Sequence, residues 1–162
     1  MAIKDSTDKL AQLAHAASQS DADYALRRRK IRVHAAGVAA KATLSKQGIA
    51  YMDKAVRLKS VRLIPLQALT ANTTEFFTVS VGYNDNAAGA FTALANITTK
   101  AAVDGGTGDW ALGKSFTASD VTDDDTIAAD KLLCYEINPG GGGTGIACNT
   151  SGFDLEIDVE LL

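Results

Sequence analysis

Phe153-Asp154-Leu155-Glu156-Ile157-Asp158-Val159-Glu160-Leu161 alternates apolar and acidic residues without a break. Successive side chains of a β-strand point to opposite faces, so this stretch sets five hydrophobes on one side and four carboxylates on the other. One buried and one solvated face is the mark of an antiparallel strand, which needs a hydrogen-bonding neighbour and an apolar layer over its inner face. The fold class expected is therefore mainly β, an antiparallel β-sandwich of jelly-roll-like type, in preference to a helical or parallel α/β domain.

Upstream, Leu132-Leu133-Cys134-Tyr135-Glu136-Ile137-Asn138 reads as a strand that stops at Pro139 and the glycines 140–143, with the closing strand taken up after Gly145-Ile146-Ala147-Cys148. Glu75 to Tyr83 carries Phe77, Val79, Val81 and Tyr83 on one face. With Phe91 to Thr98 it predicts a hairpin about the turn Asn84–Gly89. Val56 to Leu66 alternates apolar and basic residues, and Pro65 in it points to an edge position or a bulge. Ile49–Met52 is a short strand or a turn, while the segment from Ile31 to Leu44 forms one long strand or two joined near Gly37. About six to eight strands separated by turns suit a sandwich, and the sequence shows neither an internal repeat nor a second core.

Residues 1–29 have a different texture and are expected to form an N-terminal arm, leaving 30–162 as the sandwich domain. Leu10, Leu13, Ala14 and Ala17 fall at helical spacing with Ser6 or Asp8 available as caps, which predicts a short helix before Ser18-Gln19-Ser20-Asp21. So narrow an apolar stripe does not hold a helix in water by itself, so the arm must dock on its own body, a sister subunit or another protein.

A chain of 162 residues is long enough to bury a core without disulfides or metal. Aromatic residues are only 6% of it, so the core is expected to use modest side chains and to draw part of its stability from subunit contacts. No run approaches the ~20 apolar residues of a membrane helix, and Met1-Ala2-Ile3-Lys4-Asp5 lacks the order of a secretion signal. The expectation is a protein made in a cytoplasm, with no membrane partner. There Cys134 and Cys148 read as buried thiols, although they flank a glycine-rich loop and a pairing across a hairpin stays open.

Charge is distributed unevenly. From Arg27 to Arg62 eleven Lys or Arg accompany one acid, Asp53, whereas from Asp104 to Glu160 twelve acids accompany Lys114 and Lys131. If the two regions are adjacent strands they neutralise each other across the sheet; if they face apart they form complementary patches for assembly.

Little in the sequence points to catalysis. His15 and His34 lie in no recognisable nucleophile–base pattern, so the chain is expected not to be an enzyme and to need no cofactor. Asp120, Asp123, Asp124 and Asp125 cluster in one loop but lack the glycine and terminal glutamate of a calcium-binding hand, which favours a solvated, self-capped turn over a metal site. The glycines 140–143 lack the Lys-Ser or Lys-Thr of a phosphate cradle. The basic run Arg27 to Arg32 has no interleaved aromatics and sits in an acidic chain, which makes nucleic acid an unfavoured partner.

The order of a helical arm, a basic strand, Val61-Arg62-Leu63-Ile64-Pro65-Leu66, Phe77-Thr78-Val79-Ser80-Val81-Gly82, an Ala/Thr/Asp/Gly-rich middle and an alternating last strand resembles the capsid decoration or cement proteins of tailed phages, or the capsid-binding base of a head fibre. The resemblance runs from about residue 30 onward. It implies a β-sandwich, commonly a homotrimer, that sits on the outer surface of the virion and reinforces contacts among subunits of the major capsid protein. On that reading Leu10 and Leu13 are apolar anchors in the arm, and Arg27, Arg28, Arg29 and Arg32 are donors to acidic groups of the partner. A tail or neck adaptor would need the same parts. A carbohydrate-binding sandwich would instead expose aromatic rings, for which Trp110, Tyr51 and Tyr83 are the candidates.

Overall fold

A computed structural model describes residues 27–37, 43–71, 74, 76–85, 89–100, 107–140 and 152–162. Nine strands occur among them: β1 (Arg28–Ala35), β2 (Leu44–Met52), β3 (Val56–Pro65), β4 (Phe76–Asn84), β5 (Phe91–Thr98), β6 (Phe116–Thr117), β7 (Thr126–Ile127), β8 (Lys131–Gly140) and β9 (Phe153–Leu161). They form two antiparallel sheets, one ordered β1-β9-β3-β6 with β7 also on β3, the other β2-β8-β4-β5. The expected helix of the arm, with Leu10 and Leu13, lies outside the described residues, as does Cys148.

The inner faces of both sheets contribute to one apolar core, which makes the pair a sandwich. Leu58, Val61, Leu63, Phe153, Leu155 and Ile157 line it from the first sheet; Phe77, Val79, Ile97, Leu133 and Ile137 line it from the second. The closing strand behaves as its alternation predicts, since Phe153, Leu155, Ile157 and Val159 are buried while the intervening carboxylates are not.

Trp110 joins the layers from outside the strands. Its ring meets Phe77 of β4 edge-on at 5.2 Å, Phe153 of β9 edge-on at 6.3 Å and Phe116 of β6 at 5.8 Å, so one side chain touches both sheets. The indole N–H donates to Thr107 Oγ1 at 2.7 Å, and Trp110 and Leu69 exchange two backbone hydrogen bonds that hold the segment in place.

Three local expectations are corrected. First, β8 and β9 do not form a hairpin: β8 pairs with β2 and β4, and β9 with β1 and β3, so the chain crosses between sheets after Gly140. Second, Pro139 does not stop β8; it stays in register opposite Phe77. Third, Pro65 marks the end of β3, which is an interior strand, and the bulge of β3 lies earlier, where Leu58 faces Val159 but Ser60 faces Asp158. The extra residue there, Lys59, shifts the inward phase from Val56 and Leu58 to Val61 and Leu63.

Candidate docking surface on the first sheet

The outer face of the first sheet is built from three strands whose charges alternate. In β1 the outward residues are Arg28, Lys30, Arg32 and His34; opposite them in register stand Glu160, Asp158, Glu156 and Asp154 of β9. On the other side of β9, Arg57 faces Glu160, Ser60 faces Asp158 and Arg62 faces Glu156. The acidic strand therefore runs between two basic ones, and of the two arrangements open from sequence, the cross-strand one occurs.

Contacts follow this register. Arg32 Nη2 lies 2.7 Å from Asp154 Oδ2 and its Nη1 lies 4.0 Å from Glu156, while Arg62 approaches Glu156 from β3 at 3.6 Å. Arg57 reaches Glu160 at 4.0 Å, Ser60 Oγ donates to Asp158 at 2.9 Å, and His34 Nδ1 is 3.1 Å from Asp154 Oδ1. The carboxylates lie low and the cations lie over them: the side chain of Asp154 is 17% exposed against 60% for Arg32. Partial burial raises the pKa of Asp154, but the hydrogen bonds from Arg32 and His34 outweigh it and hold the carboxyl below its usual range. Solvent-side pairs of this kind are worth a few tenths of a kcal/mol each, so the lattice sets strand order and register more than it sets stability.

Of the arginines singled out from sequence, the structure places Arg27, Arg28, Arg29 and Arg32 at or beside one sheet edge, all exposed. Arg32 is already committed to Asp154. Arg29, Arg27 and Lys30 make no ion pair among the described residues. Arg29 shares the inward side of β1 with Ile31 and Val33 and borders an open cleft of about 180 Å³, lined also by Ile31, Met52, Asp53, Val159 and Leu161, where the ends of β1 and β2 approach. Sequence reading missed this cleft because it joins residues of strands that belong to different sheets.

The other candidates are spoken for. Trp110 is buried and cannot offer a platform to a sugar, and Tyr83 is half-buried; Tyr51, at 54% exposure, donates its hydroxyl to Asp130 at 2.8 Å. In the acidic loop, Asp120 accepts from the backbone N–H and side-chain amide of Asn96, Asp123 accepts from Lys59 at 2.5 Å, and Asp125 caps the N–H and hydroxyl of Thr122. Those carboxylates serve three separate partners: Asp125 caps its own loop, while Asp120 and Asp123 tie the loop to β5 and β3. Cys134 is a buried free thiol in register between Gly48 and Gly82; burial and the charge of Glu136 push its pKa up to about 11.

No family model matches the chain, and no curated protein sequence matches it. Among solved structures, the chain is similar to one in an acid-stable capsid of Helicobacter pylori bacteriophage KHP30, with 17% identity and a TM-score of 0.37 over 82% of this chain and 94% of that one. It is also similar to a chain of infectious bursal disease virus, Gx strain, with 9% identity and a TM-score of 0.32 over 84% of this chain and 37% of that one. Likeness at these scores carries no argument about what the chain does.

Proposed function

We propose that the chain is a structural protein of a phage virion, without enzymatic activity, that binds the outer surface of the capsid as a homotrimer and reinforces contacts among major capsid subunits. On this reading it is made in the host cytoplasm and resides on the capsid surface. The observation that carries the proposal is the basic edge of the first sheet, where exposed Arg27, Arg29 and Lys30 make no ion pair among the described residues, beside a lattice in which every outward carboxylate of β9 has a cation or hydroxyl within reach. Such guanidinium groups at the margin of a rigid sheet suit acidic patches on a partner, and several weak contacts repeated over a trimer add to firm attachment.

The test is light scattering of the purified protein followed by co-sedimentation with empty capsids. A trimer that pellets with the shells supports the reading, and a monomer that stays in the supernatant overturns it. The arm's part is tested by deleting residues 1–26, for which the expected outcome is a folded protein that no longer occupies capsids.

A further inference from the structure

Among the described residues, two edges of the sandwich are covered by the fold itself, the β2 edge is irregular, and the β1 edge is regular and unpaired. The far side of β3 is taken by β6 and β7. The β5 edge is capped where Thr107 N–H donates to Thr98 O, Gly108 N–H donates to Lys100 O, and Asp120 accepts from Asn96. The β2 edge is broken by two register shifts and by the positive φ of Lys46, irregularities that spoil a template for pairing. By contrast β1 runs eight residues in unbroken register against β9, and among the described residues no other strand pairs with it.

We infer that the β1 edge accepts one further strand, supplied by a partner polypeptide whose sequence alternates apolar and acidic residues. The sheet already states the rule for such a strand. Basic β3 is followed by acidic β9 and then by basic β1, so the next position in the outer charge pattern is acidic. On the inner side Ile31 and Val33 are only half-buried, although the matching residues of β9 are fully covered. Apolar side chains of an added strand would cover them, and one would enter the cleft beside Arg29. The occupant is not a second copy joined edge to edge, because β1 against β1 sets Arg28, Lys30 and Arg32 against like charges, which opposes pairing. The basic face that keeps copies apart also favours an acidic strand, and Lys30 at its centre makes no ion pair among the described residues.

The inference deepens the virion reading by naming the chemistry of the partner segment, and its test is independent of capsids. The probe is a labelled eight-residue peptide alternating valine and glutamate, with a solubilising tail, titrated against the full chain by fluorescence anisotropy. Three controls accompany it: a peptide with lysine for every glutamate, a peptide of the same composition in scrambled order, and the parent peptide N-methylated at alternate residues in each of the two possible phases. Strand addition predicts that the parent binds, that the lysine and scrambled peptides do not, and that one N-methyl phase binds at least about tenfold more weakly while the other is little changed, because only one row of amides faces β1. Amide hydrogen exchange along β1 should slow at alternate residues in the complex. Binding that is indifferent to both N-methyl phases means charge attraction without pairing and overturns the inference, as does no binding of the parent. Capsid binding that survives either of those results leaves the virion reading standing without it.

Discussion

Truncating Trp110 to alanine tests whether a residue in a connecting segment governs the packing of both sheets. The ring is 1% exposed and meets Phe77, Phe116 and Phe153, so its loss opens a cavity bordered by aromatic side chains from each layer. Removing a buried aromatic of this size costs about 3–5 kcal/mol, a large share of the roughly 5–15 kcal/mol by which a domain is stable. For a domain of this length each kcal/mol moves the midpoint by about 2–4 °C, so Trp110→Ala should lower Tm by about 6–20 °C. Trp110→Phe keeps much of the volume but leaves Thr107 Oγ1 without its donor, and an intermediate loss of about 1–3 kcal/mol is expected. Urea unfolding followed by far-ultraviolet circular dichroism reads both variants, since the substitution removes the fluorophore. A loss below about 1 kcal/mol for Trp110→Ala would refute the view that this segment ties the layers together.

Asp154 supplies a pH prediction. Its folded pKa lies below the unfolded value of about 3.9, so its ion pairs contribute stability that is full above that value and fades as pH falls through the folded one. Wild type should therefore exceed Asp154→Asn in urea midpoint at pH 6, with the gap closing towards pH 2; a gap that does not change with pH contradicts the assignment. A methyl group at Gly82 would stand 1.9 Å from the carbonyl oxygen of Thr92, so Gly82→Ala must displace the β4–β5 pair and is expected to cost about 2 kcal/mol or more, read as a lowered melting midpoint. A midpoint within a degree of wild type would show that the strands part easily. Cys134, buried and with its pKa at about 11, should resist a thiol reagent at pH 8 in the folded protein and react once urea unfolds it; rapid native labelling that Cys134→Ala abolishes would contradict its burial.

The strands were legible where period and phase were local properties. The alternation of β9 gave its faces directly, and the β4–β5 hairpin followed from the turn between them. The expectation of an edge or a bulge at Pro65 in β3 overlooked that Val56 and Leu58 are out of phase with Val61 and Leu63 unless one residue between them is extra. What periodicity does not carry is which strands become neighbours. The crossover after β8 joins strands of different sheets, and nothing in the glycine-rich connection distinguishes it from a hairpin tip. Two-residue strands such as β6 and β7 are too short to have a period at all. The charge lattice was half legible: the uneven distribution of Lys, Arg, Asp and Glu shows in the sequence, but whether opposite signs meet depends on strand order. The role of Trp110 was similarly hidden, since it rests on three rings drawn from β4, β6 and β9.

The lattice also bears on how the chain reaches its fold. Of the strands in the first sheet, β9 leaves the ribosome last, yet it forms the middle, so β1 and β3 must wait for it without pairing to each other. Both waiting strands are cationic on the face they would share, and that repulsion discourages the premature β1–β3 contact that their matching apolar phases would otherwise invite. When β9 arrives it is complementary to each. A sheet closed by its last strand has high contact order and forms slowly, and like charges on the strands that wait are one means of keeping the place between them open.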